Sequence, residues 1–160
     1  MFFKYWFVIL AIITLAGLVA VFYYVAKSNS FAAEVEEYRE YLLTLTAEEV
    51  IREHFKNKNQ KKIIKLRETV VDNYKSLDWG LNNLEYIEIL EISVNDHSTE
   101  IFREHLGENG INYEEAKVFD VTYNVKYIRS GPQDSGTHIW KYNMIKYFVH
   151  EHWLIESFGF

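Results

Sequence analysis

The chain has 160 residues, is 49% hydrophobic, carries a net charge of −6 and contains no cysteine. Without cysteine, disulfides and lipid attachment through an amino-terminal cysteine are excluded. Beyond Lys27 lie all 23 acidic residues and 15 basic residues, a net charge of −8, which argues against nucleic acid as a partner.

An uncharged segment of 22 residues, Tyr5 to Ala26, lies between Lys4 and Lys27. A helix rises about 1.5 Å per residue, so this length spans the roughly 30 Å hydrocarbon core of a bilayer. Aromatic residues stand at both ends of the segment, where lipid headgroups would lie: Tyr5, Trp6, Phe7, Phe22, Tyr23 and Tyr24. The sequence therefore predicts a transmembrane signal anchor over residues 1–27, with the lipid bilayer as its partner.

The basic residues on the two sides of this anchor are nearly balanced, since Lys4 precedes it and Lys27 and Arg39 follow it. We expect a single-pass protein of the cell membrane with its amino terminus inside and its domain outside. A cleaved signal peptide is the alternative, because Ser30-Phe31-Ala32 fits a small-x-small cleavage site. The apolar core exceeds the usual length for such a peptide, which favours an uncleaved anchor.

Helical patterns follow the anchor. Residues 28–45 are predicted to form a juxtamembrane helix or stalk, because apolar positions recur there at helical spacing. Thr46-Ala-Glu-Glu49 is a capping-box pattern that begins a further helix, on whose apolar face His54 is expected as a hydrogen-bonded core residue. Apolar positions between Ile63 and Val71 predict another helical stretch. The lysines from Lys56 to Lys65 are expected on a solvated helix face.

Strand patterns dominate the second half of the chain. Leu84 to Val94 has apolar residues at both parities, as in a bulged strand or one with two covered faces. A short helix is predicted over Thr99 to Leu106. Residues 119–127 alternate apolar and polar, and two more strands are predicted over residues 138–149 and 153–160. Helices followed by an antiparallel meander predict the α+β class, with one domain over residues 46–160.

Several of these segments resemble a known family. The quoted segments are Thr46-Ala-Glu-Glu-Val-Ile-Arg-Glu-His-Phe55, Asn83-Leu-Glu-Tyr-Ile87, Val118-Phe-Asp-Val-Thr-Tyr-Asn-Val-Lys-Tyr127, Asp134-Ser-Gly136 and Trp153-Leu-Ile-Glu-Ser-Phe-Gly-Phe160. They resemble a family of small uncharacterised domains from secreted and membrane-tethered proteins of Bacillus- and Clostridium-like Gram-positive bacteria. The resemblance implies a nuclear-transport-factor-2-like, or cystatin-like, cone with helices packed on a curved antiparallel sheet. It implies no activity and no catalytic residues.

Candidate ligand contacts come from the strands. Aromatic residues at strand spacing could line a pocket, although this pattern is more typical of a core: Tyr123, Tyr127, Trp140, Tyr142 and Trp153. Three ionisable strand residues could act at the mouth of such a cone: Asp120, His138 and Glu156. His150-x-His152 lacks a third metal ligand, so we expect no metal. The sequence contains no recognisable catalytic motif and indicates no cofactor.

These patterns favour a membrane-tethered extracytoplasmic domain that binds a protein or a cell-envelope ligand without catalysis. A scaffold subunit of a membrane assembly, as in secretion or conjugation machines, is the first alternative, and it would expose an apolar patch. A small-molecule lyase or isomerase is the second, and it would need a deep pocket around an ionisable group.

Overall fold

A computed structural model describes residues 2–130, 133–149 and 152–159, without the side chains of residues 2–13 and 16. The helices are α1 Phe2–Leu43, α2 Ala47–Asn59, α3 Ile63–Glu68, α4 Asp72–Lys75 and α5 Asp96–Glu108. The strands are β1 Leu84–Val94, β2 Glu115–Tyr127, β3 Gly136–Lys146 and β4 Trp153–Gly159. The chain divides into two compact units, Met1–Glu37 and Tyr38–Phe160.

Residues 2–37 of the first unit belong to α1 and include the predicted anchor Tyr5 to Ala26. Among the residues whose side chains are described, no helix combines the length and the apolarity needed to cross a membrane. Residues 5–13 and 16 of the predicted anchor lie outside that set. The apolar side chains that are described are at least half exposed: Leu15, Leu18, Val19, Val21, Phe22, Tyr23, Tyr24 and Val25.

In the second unit, α2 begins with the predicted capping box. The Thr46 hydroxyl accepts a hydrogen bond from the Glu49 amide at 3.3 Å, and the Glu49 carboxylate accepts one from the Thr46 amide at 2.8 Å. The predicted apolar face of α2 is buried, as expected for an amphipathic helix packed on a sheet. The helix continues to Asn59.

The four strands form an antiparallel sheet in the order β1-β2-β3-β4. This arrangement and the preceding helices confirm the predicted α+β class. The register of β1 against β2 shifts twice, between Leu84 and Tyr86 and between Ile89 and Glu91. Of the two explanations expected for its apolar pattern, a bulge or two covered faces, the bulge is therefore present. The register of β4 against β3 shifts once, after Asn143. Bulges bend a strand and increase its twist.

The two faces of the sheet have different cores. On the inner face, defined here as the face that α2 covers, β2 contributes Phe119, Val121, Tyr123 and Val125. On the outer face, Ala116 and Val118 of β2 pack with Phe102 and Leu106 of α5. The predicted alternation of β2 is therefore confirmed, and its outer-face polar residues are partly or fully exposed.

Residues of the helical region form hydrogen bonds with both edge strands of the sheet. At the β4 edge, Ile155 exchanges backbone hydrogen bonds with Thr69 and Val71. At the β1 edge, the Asn59 side chain both donates to the Ile87 carbonyl and accepts from the Ile87 amide. These bonds fix α2 and the chain after α3 against the inner face, where the candidate site lies.

Candidate functional site

Aromatic rings from strands, helix and loop gather on the inner face around Phe158 of β4. The Phe158 ring lies 5.3 Å from Tyr74, 5.8 Å from Trp79, 6.1 Å from Trp140 and 5.7 Å from Tyr142 between ring centroids. These separations are typical of aromatic pairs in direct contact. We call this set, together with Phe55, the aromatic cluster.

Lys58 of α2 places its ammonium against this cluster. Its Nζ lies 5.6 Å from the centroid of the Phe55 ring, 5.2 Å from that of Trp79 and 5.6 Å from that of Phe158. Within the described part of the chain no carboxylate pairs with it, whereas Lys56 pairs with Glu53 at 2.9 Å. Burial of the ammonium lowers the pKa of Lys58 to about 8.

His54 lies one helical turn before Lys58 and is fully buried. The Thr69 hydroxyl donates to the Leu66 carbonyl at 2.7 Å, so it accepts from His54 Nδ1–H, also at 2.7 Å. This arrangement makes Nε2 the ring nitrogen with the lone pair. Burial first, and then the charge of Lys58, hold the pKa of His54 well below its ordinary value, so the ring is neutral at pH 7.

Nε2 of His54 and Nε1 of Trp79 are buried here and have no hydrogen-bond partner among the described residues. The two rings are neighbours, with centroids 5.3 Å apart in an edge-on arrangement. An unmade hydrogen bond costs about 1–3 kcal/mol for a buried polar group, so most such groups in proteins have partners. The site therefore offers one acceptor, one donor and one ammonium group together.

Five of the predicted ligand contacts lie on the inner face near this cluster. Trp140 and Tyr142 belong to the cluster, and Tyr123 lies 5.3 Å from Phe55. His138 lies 5.7 Å from Tyr123, and its Nε2 lies 2.8 Å from the Asp134 carbonyl oxygen. Tyr127 hydrogen-bonds through its hydroxyl to Gln133, which also donates to the Tyr123 hydroxyl.

The other three predicted contacts lie elsewhere. Asp120 is on the outer face, where it accepts hydrogen bonds from Asn95 at 2.7 Å and Lys141 at 3.0 Å. Trp153 packs in the inner core, but its register partner on β3 is Lys146, which lies four residues along the strand from Tyr142. Glu156 sits at the register shift of β4 and is partly buried. The structure does not bring these residues together with the aromatic cluster.

The predicted ligand contacts did not include Lys58, Phe158 or the unpaired nitrogen atoms of His54 and Trp79. The prediction of a solvated face for the lysine stretch holds for the exposed Lys56, Lys61 and Lys62, but Lys58 and Lys65 are partly buried. Sequence spacing holds one signal, because Phe55 and His54 precede Lys58 by three and four residues and so share its side of the helix. The contributions of Trp79 and Phe158 come from distant parts of the chain and leave no such signal.

Away from the aromatic cluster, a depression of about 610 Å³ lies at the end of the sheet, between the start of α2 and α5. Its cations already have partners: Arg103 donates to the Ala116 carbonyl at 3.1 Å, and Lys117 lies 3.7 Å from Glu115. Carboxylates also line it, namely Glu48, Asp96 and Glu100. Because the cations of this depression are already paired, whereas Lys58 has no carboxylate partner among the described residues, the aromatic cluster is the better candidate site.

The described residues contain no group of three or more histidines and carboxylates placed to hold a metal ion. His150 of the His150-x-His152 pair lies outside the described residues. His152 is buried, and its Nε2 lies 3.4 Å from the Glu68 carbonyl oxygen.

Together, the fold and the cluster define a small α+β domain with an aromatic candidate ligand site on one sheet face. The chain belongs to the DUF4829 family, a domain of unknown function whose family model matches residues 48–159. This match confirms the expected membership in an uncharacterised domain family. No curated protein and no solved structure matches the chain.

Proposed function

We propose that this protein is a membrane-tethered extracytoplasmic domain that binds a ligand at the aromatic cluster without catalysing a reaction. The observation that carries the proposal is the pair of buried, unpartnered nitrogens, His54 Nε2 and Trp79 Nε1, beside the Lys58 ammonium. Folding gains nothing from leaving these groups unpaired, whereas a ligand could satisfy all three.

The tether is proposed from the segment Tyr5 to Ala26 and from the exposure of its described side chains. A helix that is apolar all round is buried in protein or spans a membrane. Phe22 and Tyr24, for example, are 73% and 77% exposed. A surrounding bilayer would cover them, and Lys4 and Lys27 would end the span on its two sides.

The proposed architecture of the domain is the nuclear-transport-factor-2-like cone of Gram-positive extracytoplasmic proteins. The order of elements supports it, since helices precede a four-stranded antiparallel meander. The register shifts in β1 and β4 also support it, because bulges provide the bending that a cone requires.

A photo-crosslinking residue placed at Phe158 in the full-length protein, in its native membrane, tests this proposal. We expect the protein in the carbonate-resistant membrane fraction, its domain open to external protease, and a captured species at Phe158. The matched position is Ile139, 63% exposed and alternating with the inner-face residues of β3. A soluble protein, or the same capture from both positions, would contradict the proposal.

The scaffold alternative is favoured by one observation, the exposure of Leu90 and Ile139 at 55% and 63%. Apolar side chains outside the inner core suit a protein partner better than a small ligand. Capture of a membrane protein at Ile139 and of nothing at Phe158 is the result that this alternative predicts.

A further inference from the structure

The groups around Lys58 define the chemistry of the ligand more closely. We infer that the aromatic cluster binds a small carboxylate that carries a hydroxyl or N–H donor beside its carboxyl group and an aromatic or apolar body. This inference rests on the proposed binding function and goes further by naming the class of ligand.

The ammonium of Lys58 supplies the preference for an anion. Among the described residues, Lys58 is the one lysine whose ammonium lies against the aromatic cluster, where it faces three rings. Several lysines of the domain pair with a carboxylate, as Lys56, Lys126 and Lys141 do, while the exposed Lys61 and Lys62 have no such pair among the described residues. Within the described residues Lys58 has no such partner. An anionic ligand would provide it.

The two unpartnered nitrogens define the rest of the polar pattern. Trp79 Nε1–H can only donate a hydrogen bond, so it needs an acceptor on the ligand. The carboxylate oxygen that does not pair with Lys58 can be this acceptor. His54 Nε2 can only accept while the ring is neutral, because Nδ1–H is directed to Thr69. A donor on the ligand, next to its carboxyl group, satisfies this nitrogen.

The walls of the site define the body of the ligand. Phe55, Trp79 and Phe158 surround the ammonium, and Trp140 and Tyr142 stack on Phe158 with interplanar angles of 15° and 19°. Flat apolar walls favour an aromatic or apolar group over a sugar or a nucleotide. Lys58, Trp79 and Phe158 are partly exposed, so this side of the cluster meets solvent.

Trp79 also provides a route to the buried nitrogens. It lies between α4 and β1, outside any helix or strand. Displacing a loop residue costs less than displacing a residue of the sheet, because fewer backbone hydrogen bonds break. Binding therefore moves the indole, and the fluorescence of Trp79 is expected to report it.

Mandelate combines a carboxylate, an adjacent hydroxyl and a phenyl ring, so it serves as the probe. The experiment is a calorimetric titration of the full-length protein in mild detergent. We expect saturable binding of mandelate, and at least tenfold weaker binding of methyl mandelate, which lacks the charge, and of phenylacetate, which lacks the hydroxyl. A charge-assisted hydrogen bond of about 1.5–3 kcal/mol corresponds to roughly 10- to 150-fold in affinity.

The variant Lys58→Met keeps the length of the side chain and removes its charge. We expect it to weaken mandelate binding at least tenfold and to leave methyl mandelate unchanged. Lys62→Met is the matched control, since Lys62 is exposed just beyond α2, and it should bind mandelate like the wild type. If Lys58→Met fails to fold, the three-ligand comparison on the wild type decides the question alone.

Equal affinity for mandelate and methyl mandelate would overturn the inference of an anionic ligand and leave the proposed binding function standing. Binding of none of the three compounds would also overturn it, and the crosslinking at Phe158 would then judge the binding function separately. Equal loss of affinity in Lys58→Met and Lys62→Met would show a general effect of charge and would contradict a site at Lys58.

Discussion

The inner and outer faces of the sheet differ in how completely their polar groups are paired. On the outer face, Asp120 accepts from Asn95 and Lys141, and Asn95 also accepts from the Ser98 amide at the start of α5. The Thr99 hydroxyl completes that network, since it donates to the Asn95 carbonyl and accepts from the Val118 amide. On the inner face, His54 Nε2 and Trp79 Nε1 have no hydrogen-bond partner among the described residues, and Lys58 has no carboxylate partner among them.

This difference separates a structural network from a binding site. The outer network fixes the first turn of α5 to β2, and its members satisfy one another. Nothing remains there for a ligand to add. On the inner face the unpaired groups cost stability, and such a cost persists where function needs it.

The largest effect that we expect comes from Thr69→Val, which removes the one hydrogen-bond partner that His54 has among the described residues. Nδ1–H of His54 and the Leu66 carbonyl would both lose a hydrogen bond in a buried place. We expect the free energy of unfolding to fall by about 2–3 kcal/mol, measured by urea denaturation.

The control for this variant is Thr122→Val on the outer face of β2, where the side chain is partly exposed. It should change the free energy of unfolding by less than about 0.5 kcal/mol. Equal effects of the two substitutions would mean that the Thr69 hydroxyl does not support His54.

The next effect concerns Lys58 and has the opposite sign. Its folded-state pKa of about 8 lies below the ordinary value of 10.5, so the unfolded chain binds more protons between these two values. Stability of the wild type therefore rises with pH across this window, and the cost of the charge is fully present below pH 8. Lys58→Met should raise the free energy of unfolding at pH 7 by about 2 kcal/mol.

The difference between Lys58→Met and the wild type is the quantity to measure, because it removes the contribution of the tyrosines that titrate in the same range. We expect this difference to shrink as the pH rises from 8 to 10.5. A difference that stays constant across the window, or a destabilised Lys58→Met, would contradict an ammonium that the rings desolvate and that no carboxylate pairs with.

The smallest effect is expected from Asp120→Asn. Partial burial works to raise the pKa of Asp120, but the hydrogen bonds from Lys141 and Asn95 outweigh burial and hold the pKa below its ordinary value. The ionised carboxylate therefore adds stability above its unfolded pKa, and this stability is lost as the pH falls through the folded pKa. Asp120→Asn should cost about 1 kcal/mol at pH 7 and leave mandelate binding unchanged. Loss of binding would instead connect the outer face to the site.

Much of the fold could be predicted from local patterns. The capping box at Thr46, the buried face of α2 and the alternation of β2 depend on spacings of one to four residues. The sequence predicts this helix over Thr99 to Leu106, whereas α5 runs over Asp96–Glu108. It begins earlier than predicted because the Asn95 side chain caps it by accepting a hydrogen bond from the Ser98 amide.

The candidate site was only half predictable. Strand spacing identified the rings of Tyr123, Trp140 and Tyr142, because alternate residues of a strand share a face. It also selected Asp120, whose parity in β2 places it opposite those rings. The environment of Lys58 depends on Trp79 and Phe158, and only the tertiary structure brings these residues to α2.

The most direct test of the account is an NMR titration of Lys58 in the full-length protein labelled with ¹³C-lysine, assigned through Lys58→Met. The account predicts a midpoint of about 8 without ligand and an upward shift when mandelate binds, because a paired carboxylate favours the charged ammonium. A midpoint at the ordinary 10.5 with no response to mandelate would contradict it, since Lys58 would then be solvated or already paired.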